Sequence, residues 1–125
     1  MTRRIDRIEY RRGMLETGAK ADDLPVTAWQ GPEVPEDVRS AIQEERVLDL
    51  GGVFGHRDGG DPIEYDQLRL ILADAAVVEI EFFNRGITLF VADDEKHRRI
   101  HRVLCKLDRL SSPFPAQHDL KPRRF

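Results

Sequence analysis

Three side chains that can bind a metal ion or act as a nucleophile recur at four-residue intervals late in the chain: His97, His101 and Cys105. On a helix this spacing places all three along one side, and a histidine pair four residues apart can chelate a metal ion. His97 and Cys105 would lie about 12 Å apart along the helix axis, so the three cannot ligate one ion together. The pattern therefore favours two histidines that flank an apolar stripe, and a small buried cysteine, over a metal site.

A second group of reactive side chains lies in the segment 56–64, where His56 is followed by Asp58 and Asp61. An imidazole and two carboxylates would bind a metal ion or perform acid–base chemistry only if a cleft brought them together. The spacing is not that of a calcium-binding loop. The triplet His56-Arg57-Asp58 also lacks the glycine-rich loop and the lysine that a kinase needs. A plain turn is the preferred interpretation, and a small metal-dependent enzyme around these residues is an alternative function.

Other catalytic patterns are missing from the sequence. No serine or cysteine has a base at a recognisable spacing, and no glycine-rich phosphate-binding loop occurs. We therefore predict no catalytic residue, no metal ligand set and no cofactor, and we favour a protein that is not an enzyme.

The elements around these residues are predicted from apolar periodicity, which indicates a three-stranded meander over residues 67–91. Keeping each apolar set on one face of the sheet puts Leu70 opposite Ile80 and Arg69 opposite Glu81. The three alternating sets are Leu68, Leu70 and Leu72, then Val78, Ile80 and Phe82, then Ile87, Leu89 and Val91.

Helical spacing of apolar residues predicts a long amphipathic helix over 94–110 and a short helix near 35–45. Residues 46–54 read as a further strand. Residues 2–20 fit either a helix or a strand, and the proline-punctuated segment 22–35 reads as a connection with Trp29 packed on the core. The stripe of the long helix consists of Ile100, Val103, Leu104, Leu107 and Leu110.

Together these elements predict a single α+β domain over residues 1–112, followed by a basic, proline-containing tail over 113–125. The domain is expected to have a mainly antiparallel sheet of four or five strands with the long helix packed across it. A barrel closed by a C-terminal helix, similar in element order to the pleckstrin-homology fold, is the alternative architecture. A chain of 125 residues is long enough to bury a sizeable core.

The sequence also predicts where the protein works. No apolar run approaches the ~18–20 residues that span a bilayer, so we expect no membrane insertion. The first residues lack the apolar core of a signal peptide. Cys105 is the only cysteine, which leaves no disulfide framework and favours a reducing compartment. We expect a cytoplasmic protein.

Charge is distributed unevenly along the chain, although its net value is only −3. Residues 1–20 carry a net charge of +3, residues 21–95 carry −13, and residues 96–125 carry +7. Such asymmetry is a hint of nucleic-acid or acidic-partner binding, and the alternative is a solvated helix face whose charges pair within the molecule. A nucleic-acid-binding domain that uses the basic helix face 98–109 and the basic termini is a second alternative function. The acidic start of the helix and the acidic body oppose it.

Five residues are the predicted partner-binding set. Arg98, Arg102 and Arg109 fall on the side of the long helix opposite its apolar stripe. Phe83 and Phe90 are aromatic residues on the sheet face opposite the main apolar set, where a purely solvated face would not carry them. Either the N-terminal segments cover them or they form part of a contact surface. With no catalytic pattern present, the preferred function is a small non-catalytic interaction module that binds a protein partner or a second copy of itself.

Overall fold

The computed structural model describes residues 4–16, 18–56, 62–91 and 94–111. They form a five-stranded sheet with helices on one face, which confirms the predicted α+β class. The predicted tail 113–125 lies outside the described residues. The strands are β1 (Ile5–Leu15), β2 (Val26–Gln30), β3 (Gly52–Gly55), β4 (Ile63–Leu72) and β5 (Val77–Phe83). The helices are α1 (Glu36–Glu44), α2 (Arg85–Val91) and α3 (Glu95–Ser111), with 3₁₀ turns at Ala21–Asp23, Gly31–Glu33 and Val47–Asp49.

The order of strands across the sheet is β2-β1-β4-β5-β3. β1 pairs antiparallel with β2 and with β4, and β4 pairs antiparallel with β5, whereas β3 runs parallel to β5. Because β2 and β3 lie at opposite edges of the sheet, the sheet is open and is not the closed barrel of the alternative architecture.

For the N-terminal part of the chain, the structure decides one prediction that the sequence left open and corrects another. The basic segment that fitted a helix or a strand is β1, which pairs with both β2 and β4. Its inward residues Ile8 and Tyr10 are buried, while charged residues alternate with them. The prediction that 22–35 is only a connection was wrong, because β2 lies within it. β2 is hard to recognise because Trp29 is the one large side chain that it packs on the core.

The predicted pairing of β4 with β5 kept the correct faces but was wrong by two residues. Arg69 lies opposite Glu79 rather than Glu81, and Leu70 lies opposite Val78. The turn causes the shift. Ala75 adopts a left-handed conformation with φ of 70°, and the side chain of Asp74 accepts a hydrogen bond from the next amide but one, at 3.1 Å. The loop therefore closes one residue earlier than expected, and the pairing changes by two.

The third predicted strand of the meander was wrong, because residues 85–91 form the helix α2. The predicted strand over 46–54 begins only at Gly52. Arg46 ends the preceding segment in a left-handed conformation, with φ of 54°, and a 3₁₀ turn follows it. The helices predicted at 35–45 and 94–110 are confirmed as α1 and α3.

The main core lies between α1, α3 and one face of the sheet. Each buried residue of the α3 stripe is at most 1% exposed, whereas Leu110 at its end is 40% exposed. The stripe packs on the inward residues of β1, β4 and β5. Those buried stripe residues are Ile100, Val103, Leu104 and Leu107.

The opposite face of the sheet carries mostly charged side chains, and several of them form ion pairs. Arg69 forms ion pairs with Glu9 at 2.9 Å and Glu79 at 3.1 Å. At one end of this face a second apolar cluster includes Phe83, which is 4% exposed. Phe83 packs on Tyr65 with ring centroids 5.1 Å apart, so it is covered within its own chain and is not presented at the surface. Its face was identified correctly, but the segment before β2 covers it.

A glycine substitution distinguishes α2 from the strand that the sequence predicted. In the structure Gly86 lies in the first turn of α2, and an added Cβ would come no closer than 3.7 Å to the nearest atom, an oxygen of Glu64. We expect Gly86→Ala to raise the free energy of unfolding by up to about 1 kcal/mol, because alanine favours a helix over the unfolded chain. Urea unfolding measures the change.

Gly55→Ala is the matched control with the opposite expected sign. Gly55 has φ of +77°, and a Cβ there would lie 1.9 Å from the carbonyl oxygen of Phe83. Alanine should therefore lower the free energy of unfolding by about 2 kcal/mol or more. A loss of stability in Gly86→Ala would contradict the helix and support a hairpin turn at that position.

Candidate functional site

α2 presents an exposed apolar surface on a short helix. Ile87 is 63% exposed, Phe90 is 89% exposed and Val91 is 69% exposed. These positions are related by three and four residues, so they share one side of the helix. We call the three the α2 apolar face. The residues on the other side, Arg85 and Thr88, are buried.

The start of α2 is built by the end of β5 and by β4. Asn84 takes a left-handed conformation with φ of 53° and turns the chain out of the strand. Its backbone N–H donates to the carbonyl of Glu64 at 2.9 Å. The carboxylate of Glu64 in turn accepts a hydrogen bond from the backbone N–H of Gly86 at 3.0 Å. A free amide of the first helical turn is thereby satisfied, which favours a helix at this position.

Arg85 attaches α2 to the interior through charge. Its Nη2 lies 2.6 Å from Oδ2 of Asp108 on α3, and its Nε lies 3.7 Å from Oδ2 of Asp66 on β4. Arg12 on β1 contacts the same two carboxylates, at 2.9 Å and 3.6 Å respectively. The Tyr10 hydroxyl lies against both of them, 2.9 Å from Asp66 Oδ1. These five residues form what we call the ion-pair cluster.

The ion-pair cluster shifts the protonation equilibrium of Asp66. Burial raises the pKa of Asp66 to about 6, although Arg85, Tyr10 and Arg12 act in the opposite direction. The hydrogen bonding agrees with this, because one hydroxyl proton on Tyr10 cannot serve two carboxylates, and Oδ2 of Asp66 has no hydrogen-bond partner among the described residues. Burial, followed by the charges of Asp66 and Asp108, raises the pKa of Tyr10, which therefore stays neutral.

The three arginines predicted to bind a partner have different surroundings. Arg102 binds both carboxylate oxygens of Glu45, at 2.8 Å and 3.0 Å, and also contacts Glu95 at 3.0 Å. Arg98 contacts the same Glu95 at 3.0 Å. Arg109 is exposed. The hydrogen bond from Arg102 lowers the pKa of Glu45, so much of this helix face is neutralised by acidic neighbours.

The histidines and the cysteine of α3 have separate surroundings. His97 packs edge-on against Phe54, with ring centroids 5.3 Å apart, and its Nδ1 lies 3.2 Å from a carboxylate oxygen of Asp94. Nε2 of His101 lies 3.3 Å from the sulfur of Cys105. Within the described ranges, no three histidine, cysteine, aspartate or glutamate side chains are grouped so that they could hold a metal ion.

The predicted alternative site in the segment 56–64 is only partly placed. His56 is exposed, and its carbonyl accepts a hydrogen bond from the side chain of Asn84 at 3.0 Å. Asp58 and Asp61 lie outside the described residues.

Phe90 is therefore the aromatic residue of the predicted set that lies exposed, and the structure adds two neighbours that sequence reasoning missed. Ile87 and Val91 were assigned to the buried face of a strand. The signal that could have placed them was available, since Ile87, Phe90 and Val91 also fit helical spacing.

The chain matches no protein-family model, no curated protein and no solved structure. None of the described helices is long and apolar enough to cross a lipid bilayer.

The raised pKa of Asp66 predicts a pH dependence of stability with a definite sign. Between about pH 4 and about pH 6 the folded chain binds more protons at Asp66 than the unfolded chain does, so this residue's contribution to stability grows as the pH falls. We expect the free energy of unfolding of the wild type, minus that of Asp66→Asn, to rise by about 2 kcal/mol on going from neutral pH to pH 4.5.

Urea unfolding at each pH measures this difference, and subtraction of the variant removes the titration of other groups to first order. One group whose titration the subtraction removes is His101, whose pKa is lowered by burial. A difference that stays constant with pH, or that falls as the pH falls, would contradict the raised pKa.

Proposed function

We propose that this chain is a non-catalytic protein-interaction module and that the α2 apolar face is its binding surface. The observation that carries the proposal is the exposure of three large apolar side chains on one side of one helix, with Phe90 at 89%. Single exposed apolar residues are common on soluble proteins, whereas contiguous ones mark interaction surfaces.

The attachment of α2 supports the proposal. A helix of seven residues is too short to be stable by itself in water. The buried contacts of Arg85 and the cap from Glu64 hold it in place, so its apolar face is presented in a fixed orientation. A preorganised face loses less conformational entropy when a partner binds.

The composition of the face favours a second copy of the chain as the partner. Ile87, Phe90 and Val91 carry no charge, and the one charged residue of α2, Arg85, is buried within its own chain. In a twofold dimer the same patch meets itself, so a patch without charge avoids repulsion between like charges. Three side chains cover less than the ~800 Å² per partner of a standard interface. We therefore expect a dissociation constant in the micromolar range.

The other functions receive less support. A phosphate-binding helix needs arginines with available charge, but Arg102 and Arg98 share acidic partners on the same surface. The metal-dependent enzyme would depend on Asp58 and Asp61, which lie outside the described residues. No observation favours either alternative over an interaction module.

The molar mass in solution tests the proposal. We expect light scattering on a sizing column to give a monomer–dimer equilibrium as the concentration rises from about 1 μM to about 300 μM, a range that brackets a micromolar dissociation constant. Phe90→Ser should shift the equilibrium to monomer by more than tenfold, about 1.4 kcal/mol or more. The dimer should persist at moderate salt, because the contact is apolar.

Val77→Ser is the matched control, because Val77 is 47% exposed and lies at the start of β5, at the other end of that strand from α2. It should dimerise as the wild type does. A wild type that stays monomeric over the whole range, or equal loss of dimer in both variants, would overturn self-association through the α2 apolar face.

A further inference from the structure

A cleft of about 910 Å³ lies at the end of the sheet remote from α2. It is bounded by the first residues of β1, by the turn at Gly31–Glu33, by α1 and by the turn at Val47–Asp49. β1 begins there opposite the end of β4, whereas the residues that hold α2 lie at the start of β4. The volume is in the upper part of the range of small-molecule sites, which runs from roughly 300 to 1,000 Å³.

The floor of the cleft is apolar. Ile42 on α1 is 2% exposed and belongs to the main core. Ile5 on β1 and Leu48 in the second turn are partly buried and pack against the same core. All three line the cleft, together with Pro32. A ligand in this cleft would therefore rest its apolar part on a rigid surface continuous with the interior.

The rim of the cleft carries charges of both signs, most of which are already paired. Arg4 contacts the carboxylate of Asp6 at 3.3 Å. Arg46 contacts the carboxylate of Asp49 at 3.2 Å. These two arginines therefore bring no net charge to a ligand.

Arg39 differs from them. Its Nη2 donates to the carbonyl of Gly31 at 2.5 Å, so the side chain joins α1 to the turn at Gly31–Glu33, and both residues line the cleft. Among the described residues it forms no ion pair. An arginine has five N–H donors, and this contact uses one of them. Arg39 is exposed. The carboxylate of Glu36, which also lines the cleft, accepts a hydrogen bond from the Ser40 hydroxyl at 3.5 Å and forms no ion pair among the described residues. The Arg39 guanidinium therefore contacts the cleft lining through one donor, and its other donors remain available to a ligand.

We propose that the cleft binds a small amphipathic carboxylic acid. The apolar body of the ligand lies on Ile5, Ile42 and Leu48, and its carboxylate is bound by Arg39. The planar guanidinium matches a carboxylate through two parallel hydrogen bonds, a geometry that a lysine does not offer. This site is separate from the α2 apolar face and does not depend on self-association.

The test is a fluorescence titration with dansyl-labelled undecanoic acid, which combines an apolar chain with one carboxylate. Its methyl ester is the matched ligand, because it keeps the apolar chain and removes the charge. We expect the wild type to bind the acid at least about tenfold more tightly than the ester. Arg39→Gln should remove the preference for the acid and leave the affinity for the ester unchanged. Arg39→Lys should retain part of the preference for the acid.

Two control variants separate the cleft from other surfaces. Arg109→Gln removes an exposed arginine of α3 that does not line the cleft, and Phe90→Ser alters the α2 apolar face. Both should bind the acid as the wild type does. Equal affinity of the wild type for acid and ester, equal losses of both ligands in Arg39→Gln, or loss of binding in Phe90→Ser would each overturn the proposal.

Discussion

The position of α2 depends on one buried cation. Arg85 is 4% exposed and lies between the carboxylates of Asp66 and Asp108, which come from different elements. Removing one partner from such a cluster leaves another charge buried and uncompensated, and this costs more than the loss of an exposed pair. The same contacts decide that residues 85–91 form a helix. The exposure of the α2 apolar face is therefore a consequence of how the opposite side of the helix is held.

Sequence patterns predicted the elements in which apolar residues recur along one side. The stripe of α3 has a single interpretation, and the alternation in β4 and β5 identified the inward faces even though the pairing was wrong by two residues. α2 could not be predicted in this way, because its apolar residues fit both a strand and a helix. That ambiguity is resolved by contacts with residues distant in sequence, namely those of Arg85 with Asp66 and Asp108 and the cap that Glu64 provides at Gly86. For the same reason Phe90 was placed on a strand and not on a helix. Phe83 is covered for a different reason, because Ala21 and Leu24 in the segment before β2 pack against its cluster.

The uneven charge of the chain is largely compensated inside the fold. α3 belongs to the segment with a net charge of +7, but it packs beside α1 and the residues that follow it. Arg102 pairs with Glu45, and Lys106 lies 3.7 Å from a carboxylate of Asp37. The guanidinium of Arg99 binds the carbonyl of Glu45 at 2.9 Å, at the C-terminal end of α1. The basic face of α3 thus joins the helices to one another, which a count of charges along the sequence does not reveal.

Tyr10 on β1 and Asp108 on α3 are in contact although they lie 98 positions apart in the sequence. The order in which the strands can pair during folding depends on contacts of this kind. β1 lies between β2 and β4 in the sheet, and β4 begins only at Ile63, so during synthesis β1 cannot pair with β4 until the intervening residues have been made. Contacts of such long range slow folding, because the entropy of closing the loop is lost before the contact is gained. Until then one edge of β1 is unpaired. Its charged residues Arg7, Glu9 and Arg11 are of the kind that keep an open strand edge from pairing with another chain.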